Sequence, residues 1–136
     1  MKKISPDTKS QLVEIAKNAQ KWAYTPYSHY PVGAAVLTES GKIYDGVNVE
    51  NAAYPVTMCA ERVAIFKAVS AGERMLSAIA VVTKNGGAPC GSCRQVMVEF
   101  NPEMVVLVAD EEGHIIEEKP VKELLPGYFS PEYLKK

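Results

Sequence analysis

Apolar positions along the chain change their spacing several times, and each change marks an element. After Pro6-Asp7, the residues Leu12, Ile15, Ala16, Ala19 and Trp22 recur three and four apart, which predicts an amphipathic helix ending near Tyr24, capped by Ser5 or Asp7. Pro26 and Pro31 then bracket a rigid loop, Thr25-Pro26-Tyr27-Ser28-His29-Tyr30. Val32-Gly33-Ala34-Ala35-Val36-Leu37 is a continuous apolar run that reads as a buried strand. A Glu39-Ser40-Gly41-Lys42 turn leads into Ile43 through Glu50, giving an antiparallel hairpin. On that second strand Asn48 and Glu50 lie two apart and so share a face.

From Cys59 to Ser70 the positions Val63, Ile65, Phe66 and Val69 suit a helix buried on most sides, stopped by Gly72. Trp22 and Phe66 are expected in the core. Ala78-Ile79-Ala80-Val81-Val82 has the length and composition of a central strand, and Asn85-Gly86-Gly87 turns the chain toward Pro89-Cys90. A second helix is predicted from about Cys90 through Phe100, then a buried strand over Met104 to Val108 and a short edge strand at Ile115-Ile116. Val121 to Leu125 suggests a helical turn before the loop that carries Phe129. Alternating strands and helices after residue 70 predict a three-layer α/β/α domain with a five-stranded mixed sheet, a single domain over residues 1–136.

Composition narrows the function classes. With 136 residues and 47% hydrophobic content the chain supports a core without disulfides. Fifteen basic residues against sixteen acidic ones, a formal charge of -1, argue against nucleic acid or an anionic membrane as partner. Lys2 and Lys3 are followed by no apolar run, and nothing approaches the roughly 20 apolar residues of a membrane span. A cytoplasmic protein with a small, nearly neutral substrate is expected.

The three cysteines are the candidate chemistry. Cys90-Gly91-Ser92-Cys93 has the C-x-x-C spacing that lets two thiolates at a helix start reach one tetrahedral metal, and Cys59 offers a third. Three protein ligands leave a fourth position open on zinc, which separates a catalytic site from a closed structural one. Three thiolates on Zn²⁺ carry a formal charge of -1, and that excess needs an offset. Two helix N-termini and the guanidinium of Arg62 are placed to supply it. Glu61, two residues from Cys59, suits a proton carrier better than a fourth ligand.

The segments NVENAAYPVTMCAERVAIFKAV, APCGSCRQV and ELLPGYF, in that order, resemble the small three-cysteine cytidine deaminases of pyrimidine salvage, and the likeness runs from AYTPYSHYPVGAAV to FSPEYL. It implies zinc on Cys59, Cys90 and Cys93, hydrolytic attack at C4 of the cytosine ring, and Glu61 as carrier of protons to N3 and to the departing amine. Cytidine and deoxycytidine would yield uridine and deoxyuridine plus ammonia. The resemblance further implies that Asn48 and Glu50 grip the ribose, that the Ala60 backbone meets the base O2, and that Phe129 reaches a neighbouring subunit's site in a homotetramer with sites at the subunit junctions. Tyr30 stands where the family usually carries a phenylalanine that stacks on the pyrimidine. Ala88 replaces a common serine, and the loop before it is short.

Other readings compete at each residue. Three cysteines also occur as inert core thiols, and a lone C-x-x-C as a structural or redox pair. Asn48 with Glu50, and Phe129 with Tyr128, are by themselves an exposed strand face and tail packing. A structural zinc would need a fourth ligand, and His29 and His114 read as surface residues. The rival functions are a related zinc deaminase acting on a modified or antibiotic aminated pyrimidine nucleoside, and a non-enzymatic zinc-stabilised scaffold. Glu61 argues against the scaffold.

Overall fold

Helix α1 (Pro6–Ala19) starts where Ser5, in extended conformation, accepts a hydrogen bond from the Thr8 amide, and Pro6 occupies the position where a missing N–H costs nothing. The computed structural model describes residues 3–135, so Lys2 of the N-terminal basic pair lies outside it. Strands β1 (Gly33–Thr38) and β2 (Ile43–Val47) form the expected antiparallel hairpin. Helix α2 (Ala60–Ser70), strand β3 (Leu76–Thr83), helix α3 (Gly91–Phe100), strands β4 (Val105–Asp110) and β5 (Ile115–Pro120) and the short helix α4 (Val121–Leu124) follow. The sheet order is β2-β1-β3-β4-β5, with β3 and β4 parallel and every other neighbour pair antiparallel.

Strand alternation sends the apolar residues to two faces. Ala35, Ala78, Ala80, Leu107 and Ala109 pack with Leu12, Val13 and Ala16 of α1, and these small side chains let the helix lie close. Ala34, Val36, Ile79, Val106 and Val108 face the other way, against Ala64 and Ile65 of α2 and Met97 and Val98 of α3. The result is the three-layer α/β/α arrangement with a five-stranded mixed sheet that the periodicity predicts.

Two core assignments are corrected. Trp22 is 73% exposed and Phe66 is 43% exposed. The α-helical turns end at Ala19, and a 3₁₀ turn over Gln20–Trp22 rotates the tryptophan off the buried stripe. On α2 the stripe against the sheet is Ala60, Ala64, Ile65 and Ala68, which points Phe66 outward, one residue round the helix from Ile65. Strand β2 also stops at Val47, short of Glu50; beyond it Val49 makes single bridges to Tyr24 and Met58. At the far edge β5 is longer than the predicted pair, and its run Glu117-Glu118-Lys119-Pro120 keeps that edge charged and closed to further pairing.

One glycine sets the distance between sheet and site. A Cβ on Gly46 of β2 would lie 2.5 Å from both the Ala60 carbonyl oxygen and the Ala64 nitrogen, backbone atoms that cannot swing aside. Gly46→Ala is therefore expected to push the first turn of α2 off the sheet and lower stability by about 1–3 kcal/mol or more, measured as a drop in denaturation midpoint against the parent chain.

Candidate active site

The first residues of α2 and α3 meet at the end of the sheet where β3 finishes and β1 begins, the usual place for a site in an α/β sheet. Cys59 is the N-cap of α2 and Cys90 the N-cap of α3, with Cys93 one turn further. The Cys90 sulfur accepts from the Cys93 amide at 3.4 Å, whereas the Cys59 side chain makes no cap bond and turns to the other thiols. All three sulfurs lie within 4.8 Å of one another, Cys59 to Cys90 at 3.9 Å and Cys90 to Cys93 at 3.3 Å. None forms a disulfide.

Arg62 Nη2 donates to the Cys59 sulfur at 3.2 Å, and its buried Nε has no partner among the described residues. The Cys59 thiol is pushed down to about 5, first by a hydrogen bond from Cys93 and then by Arg62, against the opposing effect of burial. Cys93 moves the other way, because it supplies the proton in that bond and because it is buried beside negative charge. Glu61 is 4% exposed. Burial raises its carboxyl above the ordinary glutamate value and the Cys59 charge adds to this, while its own amide and the Cys93 thiol oppose it.

A cavity of about 230 Å³ opens beside the cluster, lined among others by Tyr30, Asn48, Cys59, Ala60, Glu61 and Cys90. Ala60 is the first residue of α2, so its N–H has no intrahelical partner. Asn48 is nearly buried, and its side-chain amide clamps one stretch of backbone: Nδ2 donates to the Tyr30 carbonyl at 2.9 Å and Oδ1 accepts from the Val32 amide at 3.0 Å. Glu50 lines an adjoining hollow with Tyr27, Ser28 and Tyr54, and Thr57 borders both spaces. Its carboxylate accepts from the Tyr27 and Ser28 amides at 3.0 Å each and from the Ser28 hydroxyl. The Ser28 hydroxyl is the main reason that the Glu50 carboxyl sits below its ordinary value.

The structure brings together Cys59, Cys90, Cys93, Glu61, Arg62, Ala60, Asn48 and Tyr30, with Glu50 next door. Phe129 is not in this cavity; it is half-exposed, stacked on Tyr133, and lines a separate groove with Phe66 and Phe100. His29 and His114 are exposed and take no part in the cluster. Sequence reasoning missed Arg94, whose Nε donates to the Pro89 carbonyl at 2.9 Å and whose Nη1 donates to the Leu124 carbonyl at 2.7 Å. The bond to Pro89 fixes the peptide entering Cys90. Its position four residues after Cys90, on the same helix face, was the available signal.

A family model described as "Cytidine and deoxycytidylate deaminase zinc-binding region" matches residues 6–109, which contain the cysteines, Glu61 and Arg62. The chain belongs to this family. It is 53% identical over 127 residues to a cytidine deaminase of Sporosarcina psychrophila, covering 91% of this chain and 93% of that one. A cytidine deaminase of Halalkalibacterium halodurans is 48% identical over 127 residues, covering 91% and 96%. The crystal structure of cytidine deaminase from Burkholderia pseudomallei superposes with a TM-score of 0.85 at 44% identity, covering 93% of this chain and all of that one. That from Mycobacterium tuberculosis gives 0.78 at 37%, covering 88% and 94%.

The cluster fits the zinc of this family. Tetrahedral ligands at about 2.3 Å from zinc stand about 3.8 Å apart, and the sulfur separations of 3.3 and 3.9 Å bracket that spacing. The donor set is all thiol, the one arginine at hand already donates to a sulfur, and two helix N-termini face it. Among the described residues no helix is long and apolar enough to cross a membrane.

Proposed function

We propose that this protein deaminates cytidine and deoxycytidine hydrolytically, taking up one water and releasing ammonia with uridine or deoxyuridine. The observation that carries this reading is Glu61, buried, with its carboxyl raised, lining a cavity of about 230 Å³ together with Cys59 and Cys90 of the three-sulfur cluster. Cys59, Cys90 and Cys93 would hold zinc, which when bound supplies the Lewis acid that makes water a nucleophile near neutral pH. Arg62, donating to Cys59, tempers the charge of the thiolates.

The chain's own side chains do the rest. Glu61 takes the proton from the attacking water and delivers protons to the ring nitrogen and to the departing amine; burial holds its carboxyl above the ordinary glutamate value, the direction that suits a group that must both accept and give a proton. The amide of Ala60, without a helical partner, is placed to meet the carbonyl of the base. Asn48 has one N–H and one lone pair left after its two backbone bonds, and Glu50 keeps one free lone pair, on Oε2, beside Thr57, so both suit sugar hydroxyls. The purified protein is tested with cytidine, deoxycytidine and a base-modified analogue while ammonia is followed. Absence of turnover of both cytidine and deoxycytidine with zinc bound stoichiometrically defeats the proposal, and turnover of the analogue alone favours a modified nucleoside as substrate.

A single 136-residue domain acting in the cytoplasm in pyrimidine salvage fits this activity, and three unpaired thiols suit a reducing compartment. We further infer a homotetramer with sites at the subunit junctions. Supporting this, Phe129 lies away from its own chain's cavity, beside an apolar groove of about 620 Å³ that includes Phe66 and Phe100. Phe129→Ala is expected to raise KM about tenfold without dissociating the oligomer, in keeping with about 1–3 kcal/mol for one aromatic stacked on a base. An unchanged KM in an intact oligomer would remove Phe129 from the site.

A further inference from the structure

Tyr30 touches both halves of the site. Its backbone belongs to the loop over residues 25–31, where its carbonyl accepts from Asn48 and its amide donates to the Ser28 hydroxyl at 3.1 Å, the same hydroxyl that donates to Glu50. The loop is held in a strained shape, since His29, just before Tyr30, has φ of 55°, a left-handed conformation uncommon for a residue with a side chain.

The Tyr30 side chain leaves that loop and meets a different one, residues 84–89, which runs from β3 into Cys90. Its phenol donates to Asn85 Oδ1 at 2.5 Å. Lys84 Nζ stands 5.7 Å from the ring centroid. A Cβ built on Gly87 would come within 2.7 Å of the phenol oxygen, so the backbone there passes directly under it. On the far side the loop is backed by β5, where a Cβ on Gly86 would collide with Ile116 Cδ1 at 2.1 Å. The Gly87 amide donates to Thr83 Oγ1 at 2.8 Å. Three residues of one loop therefore converge on one side chain, and that loop, with the Cys90 it leads into, supplies Gly87, Ala88 and Cys90 to the cavity wall.

An aromatic face alone would need no hydroxyl. We propose that Tyr30 is a positioning residue: its phenol, bonded to Asn85, latches the Cys90-bearing loop to the segment held by Asn48 and Glu50, so that the metal half and the sugar half of the cavity keep one spacing before substrate enters. The inference rests on the proposed nucleoside site. Without the latch the free protein samples wider arrangements, and the substrate must order the loop as it binds, which costs affinity and leaves the bound geometry, and hence kcat, nearly intact.

Tyr30→Phe removes the one hydrogen bond and keeps the ring. A lost neutral hydrogen bond of ordinary strength corresponds to a factor of about 2 to 12. Hydrogen exchange of the peptide spanning residues 84–89, where Gly87 carries the bonded amide, is expected to accelerate by that factor, with zinc content unchanged. KM for cytidine is expected to rise about 2- to 12-fold with kcat within about twofold. Asn85→Ala should reproduce both effects, and the double variant should be no worse than either single one, because all three lose the same bond. A parental KM in Tyr30→Phe, parental exchange in the 84–89 peptide, or additive effects in the double variant each overturn the proposal. If the parent fails to deaminate cytidine, the functional reading falls by itself, and the exchange rates still decide whether the latch exists.

Discussion

Glu61→Gln is expected to retain the fold and the zinc while kcat falls about 10²–10⁴-fold, the range general acid/base groups supply. Glutamine matches glutamate in volume, so a side chain that is 4% exposed is exchanged without opening a void. What it cannot do is accept and release a proton. The carboxyl is suited to that task because its surroundings disagree about its charge. Burial and the thiolate at Cys59 favour the protonated form, while the Glu61 amide, the Cys93 thiol and Arg62 favour the ionised one. Burial wins, so the folded carboxyl holds its proton to higher pH than a free glutamate does. Steady-state kinetics with cytidine, paired with metal analysis of the same sample, check the expectation. Turnover near the parental value would take Glu61 out of the mechanism.

The metal cluster and the sheet were legible in the sequence for related reasons. Apolar runs of five or six residues, such as Ala78 to Val82, have no polar face and must be central strands. The C-x-x-C pair at a helix start leaves two sulfurs little freedom except to converge. What was hidden depends on contacts between distant segments. The phasing of α2 turned on alanines, which carry little hydrophobic signal yet form its stripe against the sheet, so Phe66 was misplaced in the core. Trp22 was misplaced because a 3₁₀ turn changes the angle per residue after Ala19. The partners of Asn48 and Glu50 within residues 25–32, and the bond between Tyr30 and Asn85, join residues 16 to 55 apart, where no local spacing rule applies.

Cys90→Ala is expected to abolish stoichiometric zinc and with it turnover, and to lower the melting temperature of the metal-loaded protein toward that of the chelator-treated parent. Two effects are combined in this substitution, and they can be separated. Cys90 is both a sulfur of the cluster and the N-cap of α3, accepting from the Cys93 amide. Loss of a cap costs about 0.5–2 kcal/mol, whereas a structural zinc site can contribute about 10–16 kcal/mol of binding free energy to the folded state. Cys90→Ser restores an oxygen cap on α3 without restoring a thiolate ligand. If the cluster binds zinc as a unit, the serine variant recovers a little stability over alanine, both remain zinc-poor, and a chelator shifts neither melting curve. Because Cys90 is exposed, neither substitution leaves a buried void to confuse the reading. Full zinc occupancy in Cys90→Ala would mean that Cys59 and Cys93 suffice, and the open coordination position on which the proposed hydrolysis depends would have to be assigned afresh.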